Sequence, residues 1–531
     1  MSATASIPGL YYAFVHPPRT PSPLRTDVAG FFGRTARGPV GAAIRVEGWR
    51  EYFSIFGGLT ADASTPYAVS GYFENKASAA YIVRLLGGKS QCAAGRWIVG
   101  TYDAASKTLN ADWPGAGGLP ALSFTIQASS QGTWANKTSI TVRYWQDGTG
   151  GKPEIEFQVK PPNDHAEILS GLDPASVHDA VNAQSAYIRL SPDPLPEGVT
   201  APLLAGAPPG PRYFEWNVGS LSGGTSVAPD RADYLNAVQL LGDEIEVALM
   251  LSPDLYHPDF SVASDQTDVL GAMLTQAEAL HDRLVIIDVP PQYADALSAV
   301  RWVDTSLRTQ FDEDILRNGT VYHPRLKIPD PLGGLISPLR CAPCSGWVTG
   351  VISQLDLQFG AYFTPANEGI LQAIDLSSLF DAEDQADLYS GGINLLTCTP
   401  GRGLLVWGGR VLGKQSPGGF VAHRRLIHLL VRAIRRVAEP LVFDTNGPEL
   451  WLAFVRSVNT VLLQAYRAGA LKGDQPNQAF QVICDSTTNP QAQIDQGIVV
   501  CIVKVAPAVP MEFITLRVAV SAEGQLEVFE K

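Results

Sequence analysis

Apolar and polar positions along this chain change period several times, and the changes mark its organisation. Residues 28–33 (VAGFFG), 43–46 (AIRV) and 81–86 (YIVRLL) are short apolar runs bounded by turn residues and read as buried strands. Between them, the segments near 48–56 and 67–81 space their apolar residues as helices do, with Tyr67, Val69, Tyr72 and Phe73 expected on a common side. From about 89 to 165 the period drops to two: LSFTIQAS, TSITVRYW and EIEFQVK predict strands joined by glycine-rich turns such as DGTGGKP. Residues 166–228 are rich in proline, glycine and serine and read as long loops or a linker.

An alternation of helix and strand resumes with ADYLNAVQLL, EIEVALML, DVLGAMLTQAEALHDR, LVIIDVP and YADALSAVRWVDTSL. Asp230 and Asp268 stand where N-caps are expected, and Leu270, Met273, Leu274, Ala277 and Leu280 share one helical face. The last third carries two amphipathic helices, near 420–437 and 449–471, then the strand GIVVCIVKVA and a final strand EFITLRVAV. In that final strand Ile514, Leu516, Val518 and Val520 alternate with Phe513, Thr515, Arg517 and Ala519, so it can pair in its own sheet or in a neighbour's. At the other end LYYAFV, with Leu10, Tyr11, Tyr12 and Phe14, predicts a short strand that the proline-rich HPPRTPSPLR separates from the apolar run at Val28. It reads as an arm that finds its partner elsewhere. The fold class expected from these patterns is mixed α/β (α+β).

Composition narrows the function classes. The chain has 531 residues, 45% of them hydrophobic, which is ample for packed cores and excludes disorder throughout. Only 17% are charged, while 50 glycines and 39 prolines favour turns and extended segments over long solvated helices. A net charge of −13 argues against non-specific nucleic-acid binding. No apolar run reaches the ~18 residues of a spanning helix, and MSATASIPGLYYAF lacks the regions of a signal peptide, so a soluble chain assembled in the cytoplasm is expected. Six cysteines in mostly apolar contexts read as reduced, buried thiols.

Few motifs offer candidate chemistry. CAPC (Cys341 to Cys344) has the spacing of a zinc knuckle or redox pair, but there is no second such motif, and His323 is the one histidine near it in sequence. GGKS (Gly87 to Ser90) lacks the first glycine of a phosphate loop, and GTGGKP (Gly148 to Pro153) has proline in place of the metal-binding hydroxyl, so both read as turns. Asp288 follows the strand LVII at the end where α/β sheets hold catalytic groups; it supports the alternative of an α/β enzyme with a β-rich accessory domain, although it lacks a convergent partner in sequence. GxSxG and HExxH are absent. No catalytic, cofactor-binding or metal-binding residue is assigned. The helix HRRLIHLLVRAIRR carries Arg424, Arg425, Arg432, Arg435 and Arg436 in an acidic chain. Its two readings are a solvated face whose last turn offsets the helix dipole, and a docking face for an acidic partner.

Several strings, in order and spacing, resemble the contractile tail sheath proteins of phages and phage-tail-like injection systems. They are PGLYY (from Pro8), VAGFFGRTARGP (from Val28), FGG (from Phe56) and GYFENKASAAYIVRL (from Gly71) near the start. Later come YFTPANEGI (from Tyr362), TPGRGLLVWGGR (from Thr399), HRRLIHLL (from His423), LVFDTN (from Leu441), CDSTTNP (from Cys484) and VAPAVPMEFI (from Val505). CAPCSG stands where many relatives have a Pro-Pro-Ser-Gly type of turn, which favours a turn there.

The resemblance implies a core built from both chain ends: an N-terminal arm 1–25, core 26–90, an inserted β-rich module and linker 91–228, an inserted α/β module 229–330, core 331–508 and a C-terminal arm 509–531. It implies stacked hexameric rings around an inner tube, with baseplate and terminal cap proteins as further partners. Membrane insertion, nucleic acid and cofactor have no part in it. Strands at Leu10 to Val15 and Glu512 to Val520 would join neighbouring subunits by β-augmentation. The five arginines would face an acidic tube.

Overall fold

The computed structural model describes residues 25–98, 101–103, 108–110, 123–146, 154–162, 164–173, 176–192, 212–413, 419–508, 514–520 and 526–530. The described chain opens with β1 (Ala29–Gly33), β2 (Ala43–Val46), α1 (Trp49–Phe56), α2 (Thr65–Glu74) and β3 (Ala80–Arg84). β1 and β3 pair in parallel, and β2 lies antiparallel to β3 at the sheet edge. Every residue of β1 and β3 is buried, as unbroken apolar runs require of strands covered on both faces.

The chain then leaves this sheet along two adjacent stretches of backbone: Gly87 N–H donates to the Val227 carbonyl at 3.0 Å, and Gln91 and Ala94 bridge Thr225 and Ser222. Between exit and return lie β4 (Ala94–Ile98), β5 (Thr101–Asp103), β6 (Thr108–Asn110), β7 (Ser123–Ala128), β8 (Ser139–Gln146), β9 (Glu154–Lys160), β10 (Glu167–Leu172), α3 (Val177–Gln184), β11 (Ile188–Pro192) and β12 (Arg212–Ser220). Two antiparallel sheets, β10-β9-β8-β12 and β11-β7-β4, share a core that includes Ile126, Val142, Phe157, Val181 and Ile188. β9 shows the cause: Ile155, Phe157 and Val159 are buried and alternate with residues at least partly exposed. The stretch 166–228, expected as loops, holds β10, α3, β11 and β12, because its strands are short and interleaved with turn residues.

On its return the chain forms α4 (Arg231–Gly242), β13 (Leu249–Leu251), α5 (Ala263–Leu280), β14 (Leu284–Asp288), α6 (Ala296–Trp302), α7 (Glu313–Leu316) and β15 (Gly319–His323). Next come β16 (Leu326–Pro329), β17 (Leu339–Ala342), α8 (Ser345–Gln358), β18 (Glu368–Gly369), β19 (Asp375–Leu376), α9 (Ala382–Ser390), β20 (Ile393–Thr399) and β21 (Gly403–Trp407). The large sheet runs β18-β21-β20-β15-β14-β13-β1-β3-β2. The segment 229–330, expected as a module of its own, therefore supplies the middle of the sheet: β13 pairs in parallel with β1, Ala29 opposite Leu249. Local periodicity cannot reveal which parallel neighbour a buried strand takes. Phe32, Met250, Val285, Ile287 and Val321 face α4, α5 and α6, while Phe31, Ile82, Leu249 and Ile286 face α1, α2 and α8. α2 and α8 meet closely, since a Cβ on Gly346 would sit 2.4 Å from the Ala68 carbonyl.

Asp230 caps α4 as expected, through a reciprocal capping box with Asp233. Asp268 does not cap α5, which starts at Ala263; it lies inside the helix and pairs with Arg231 at 2.7 Å. The last unit comprises α10 (Val421–Ala438), α11 (Pro448–Arg467), β22 (Phe480–Ile483), β23 (Val499–Val505), β24 (Ile514–Val520) and β25 (Leu526–Glu530), with the strands in that order in one antiparallel sheet. Leu430 and Ile434 of α10, Phe454 and Val458 of α11 and Val503 of β23 form its core.

Candidate assembly site: the arginine helix and the terminal sheet

α10 is amphipathic on both sides of its axis, with an apolar stripe (Leu426, Ile427, Leu430, Val431, Ile434) facing the terminal sheet's core and a stripe of arginines opposite. Most of the arginine stripe is turned away from solvent. It lies across the amino ends of the parallel strands, and Arg424, Arg425, Arg432 and Arg435 each answer a group that precedes a strand. Arg432 donates to the carbonyls of Ile245 at 2.5 Å, Val247 at 2.8 Å and Glu246 at 3.3 Å before β13, and to that of Arg25 before β1. Arg425 donates to the Thr26 carbonyl at 2.6 Å and to the Asp356 carboxylate. Arg424 donates to Asn318 Oδ1 at 2.9 Å, just before β15. Arg435 reaches the Leu280 carbonyl and Asp282 Oδ2, at 3.2 Å, before β14.

These are charge-assisted bonds, worth ~1.5–3 kcal/mol each before desolvation is charged against them. Burial draws the Arg432 guanidinium down to about 10 and pushes the Asp356 carboxyl up to about 7 despite its Arg425 partner. His428, on the same stripe, is driven well below the usual imidazole range by burial and by neighbouring arginines.

The expectation that five arginines present a docking face is corrected for three of them. Arg424, Arg425 and Arg432 are 2%, 2% and 7% exposed and make their hydrogen bonds inside the chain. Arg435 and Arg436, in the last turn, keep intermediate exposure. A helical wheel separates apolar from basic stripes but says nothing of the second layer. The acceptors are mostly backbone carbonyls, in one case 407 residues away.

The terminal strand β24 pairs with β23 of its own chain over seven residues, from Val499 opposite Val520 to Val505 opposite Ile514, so Ile514, Leu516, Val518 and Val520 belong to this sheet by backbone register. Leu10, Tyr11, Tyr12 and Phe14 lie outside the described residues.

At the carboxyl ends of the parallel strands, where open α/β sheets bind ligands, the carboxylates are occupied. Asp254, after β13, accepts from Ser64 N–H at 2.6 Å, Arg34 N–H at 2.9 Å and Thr65 N–H at 3.2 Å. Asp288 accepts from Ser345 N–H at 2.9 Å at the start of α8. Burial raises the Asp288 carboxyl. The residue on which an enzymatic reading rests is thus a helix cap. His323 is buried beside the Ala294 carbonyl at 3.2 Å, and burial lowers it to about 4.

CAPC runs from the end of β17 into α8, with Cys341 exposed and Cys344 buried, and no group of three His, Cys, Asp or Glu able to hold a metal occurs among the described residues. In GGKS, Ser90 N–H donates to the Gly87 carbonyl at 3.0 Å, as a turn. GTGGKP lies outside the described residues.

Residues 414–521, spanning α10, α11 and β22 to β24, match the family described as the phage tail sheath C-terminal domain. The tail sheath protein of Vibrio phage KVP40 is 28% identical over 190 residues, covering 35% of this chain and 27% of that protein. That of Enterobacteria phage T4 is 28% identical over 195 residues, covering 35% and 28%. The matched stretch thus spans about a quarter of the length of those phage proteins. Among solved structures, the sheath tail protein from Desulfitobacterium hafniense has TM-score 0.59 at 12% identity, with 97% of this chain and all of that one covered. The helical sheath of the anti-feeding prophage in its contracted state has TM-score 0.55 at 18% identity, covering 96% and 98%. At these identities the likeness is one of fold, and it runs the length of the chain.

Proposed function

We infer that this chain, a tail sheath protein by its C-terminal domain and its fold, is the structural subunit of a contractile sheath. It polymerises as stacked hexameric rings around an inner tube and contracts to drive that tube through a target envelope. The observation that carries this reading is the tail sheath C-terminal domain over 414–521, the segment that holds both the clamp on the large sheet and the terminal strands.

A heterologous contact repeated along a helix builds an open filament whose length other components must limit. Baseplate and terminal cap proteins fill that role in the proposal. The energy of contraction lies between two packings of the same subunits, and a barrier holds the extended one, so the proposal needs no cofactor, nucleotide or catalytic group. The arms at 1–25 and 509–531 are proposed to link subunits by strand addition. In this reading β24 exchanges its place beside β23 for the same place in a neighbour, a swap that conserves every backbone bond. Of the five arginines, Arg435 and Arg436 remain the proposed tube-facing pair. The particle is assembled in the cytoplasm as a phage tail or tail-like device.

The test is electron microscopy of the full chain, alone and co-expressed with its tube protein, beside a version lacking residues 1–22. Helical tubes from the full chain, lost on truncation, are expected. Discrete particles from both versions, even with tube protein present, would sink the reading.

A further inference from the structure

Two of the six cysteines meet in the terminal sheet, and neither takes part in the arginine clamp; the backbone of Cys501 stands opposite Val518 of β24. β22 and β23 pair in antiparallel, with Phe480 opposite Val505, Val482 opposite Val503 and Ile483 opposite Ile502. One more step of that register sets Cys484 opposite Cys501. The backbone bonds decide what kind of pair this is. Ala506 N–H donates to the Ala479 carbonyl at 2.8 Å. Past the end of β22, the Asn489 carboxamide accepts from Val500 N–H at 2.6 Å and donates to the Val500 carbonyl at 3.1 Å. The even-numbered residues of β23 therefore direct their backbone groups toward β22, and Cys501 falls in a non-hydrogen-bonded position. Such pairs bring Cα atoms to about 4.5 Å with both side chains on one face, and a disulfide spans Cα separations of about 4.4–6.8 Å.

Asn489 Nδ2–H donates to Cys484 Sγ at 3.7 Å. The neighbouring Cys501 thiol and this amide lower Cys484 toward its thiolate, whereas Cys484 and burial raise Cys501 and keep it a thiol. Cys501 is fully buried and Cys484 is 9% exposed beside an exposed turn at 485–487. Of the remaining cysteines, Cys341 stands opposite Lys327 and Cys398 opposite Leu404.

We propose that Cys484 and Cys501 form a dithiol–disulfide site that closes when the chain meets a small-molecule disulfide. The Cys484 thiolate attacks one sulfur of that disulfide and expels one small thiolate. The Cys501 thiol loses its proton and attacks Cys484 Sγ in the mixed disulfide, expelling the second. One small disulfide is reduced to two thiols, the protein loses two hydrogens, and the new bond joins Cys484 Sγ to Cys501 Sγ. A chain made under reducing conditions acquires this bond only in an oxidising medium. The bond staples β22 to the strand that carries β24 on its other side. The inference does not depend on the sheath reading.

The experiment takes the full-length chain, reduced, and incubates it folded with glutathione disulfide. Free thiols are then alkylated in denaturant, and the peptides are mapped by mass spectrometry. A Cys484–Cys501 linked peptide is expected, together with a rise of roughly 2–5 °C in the thermal midpoint that reducing agent reverses. Cys501→Val, which keeps the site apolar and close in volume, should give no linked peptide and no reversible rise. Glutathione adducts at Cys341 and Cys398 without the linked peptide would overturn the proposal. So would a linked peptide that forms only from unfolded chain, or a reversible rise that persists in Cys501→Val.

Discussion

The two edges of the large parallel sheet are closed in opposite ways. At the carboxyl edge, carboxylates accept from backbone N–H groups: Asp254 takes three and Asp288 takes the first N–H of α8. At the amino edge, guanidiniums donate mostly to backbone carbonyls, with Asn318 Oδ1 and Asp282 Oδ2 as side-chain acceptors, and α10 is laid across the starts of β1, β13, β14 and β15. Each edge offers the backbone groups the other lacks, and each is met by the complementary charge. The carboxyl edge is closed by residues near the strands themselves. The amino edge is closed by a helix from the far end of the chain, so it couples the large sheet to the terminal sheet.

That contrast can be broken in order of expected effect. Arg432→Met should cost most, about 4 kcal/mol by denaturant unfolding, because it strands carbonyls on both sides of the β1–β13 seam. An unchanged midpoint would mean that water reaches these carbonyls and that the edge is not closed. Asp254→Ala should cost about 3 kcal/mol, since three N–H groups lose one acceptor.

Acid comes next. His323, lowered to about 4, and His428, driven well below the usual imidazole range, stay neutral in the folded chain while their unfolded counterparts take protons below about 6.5. Their contribution is complete above that pH and is lost as pH falls; for His323 the window runs down to 4, with a loss of about 2 kcal/mol between pH 6.5 and 5. Asp356, raised to about 7, acts in the opposite sense: its folded carboxyl binds the proton first, and stability from it is lost as pH rises from its unfolded value through 7. Asp356→Asn should therefore steepen the loss on acidification by about 1.4 kcal/mol per pH unit, and an unchanged slope would contradict that assignment. Smallest is Arg231→Ala, below about 0.5 kcal/mol, because the Arg231–Asp268 pair is half exposed on both sides.

Much of the fold could be read in advance, for reasons that differ by element. β1 announced itself by being apolar throughout, β9 by strict alternation, α4 by Asp230, and α10 and α11 by their apolar stripes. What stayed hidden depends on partners distant in sequence. The place of β13 beside β1 depends on pairing across some 220 residues. The inward turn of Arg424, Arg425 and Arg432 depends largely on carbonyl acceptors, which composition does not record. Cys484 and Cys501 looked like separate apolar thiols because the chain between them folds back on Asn489, whose carboxamide stands in for a strand.

The paired backbone at Gly87 and Val227 has a practical consequence. The chain enters and leaves the stretch from β4 to β12 at two points lying side by side, about one strand spacing apart, and Arg37 and Arg84 tie that stretch to the core through Asp164 at 3.1 Å and the Gln131 carbonyl at 2.9 Å. That geometry makes the β-rich module a cassette: a short turn can replace it, or a foreign domain with adjacent termini can be spliced in, without altering the register of any strand in the large sheet.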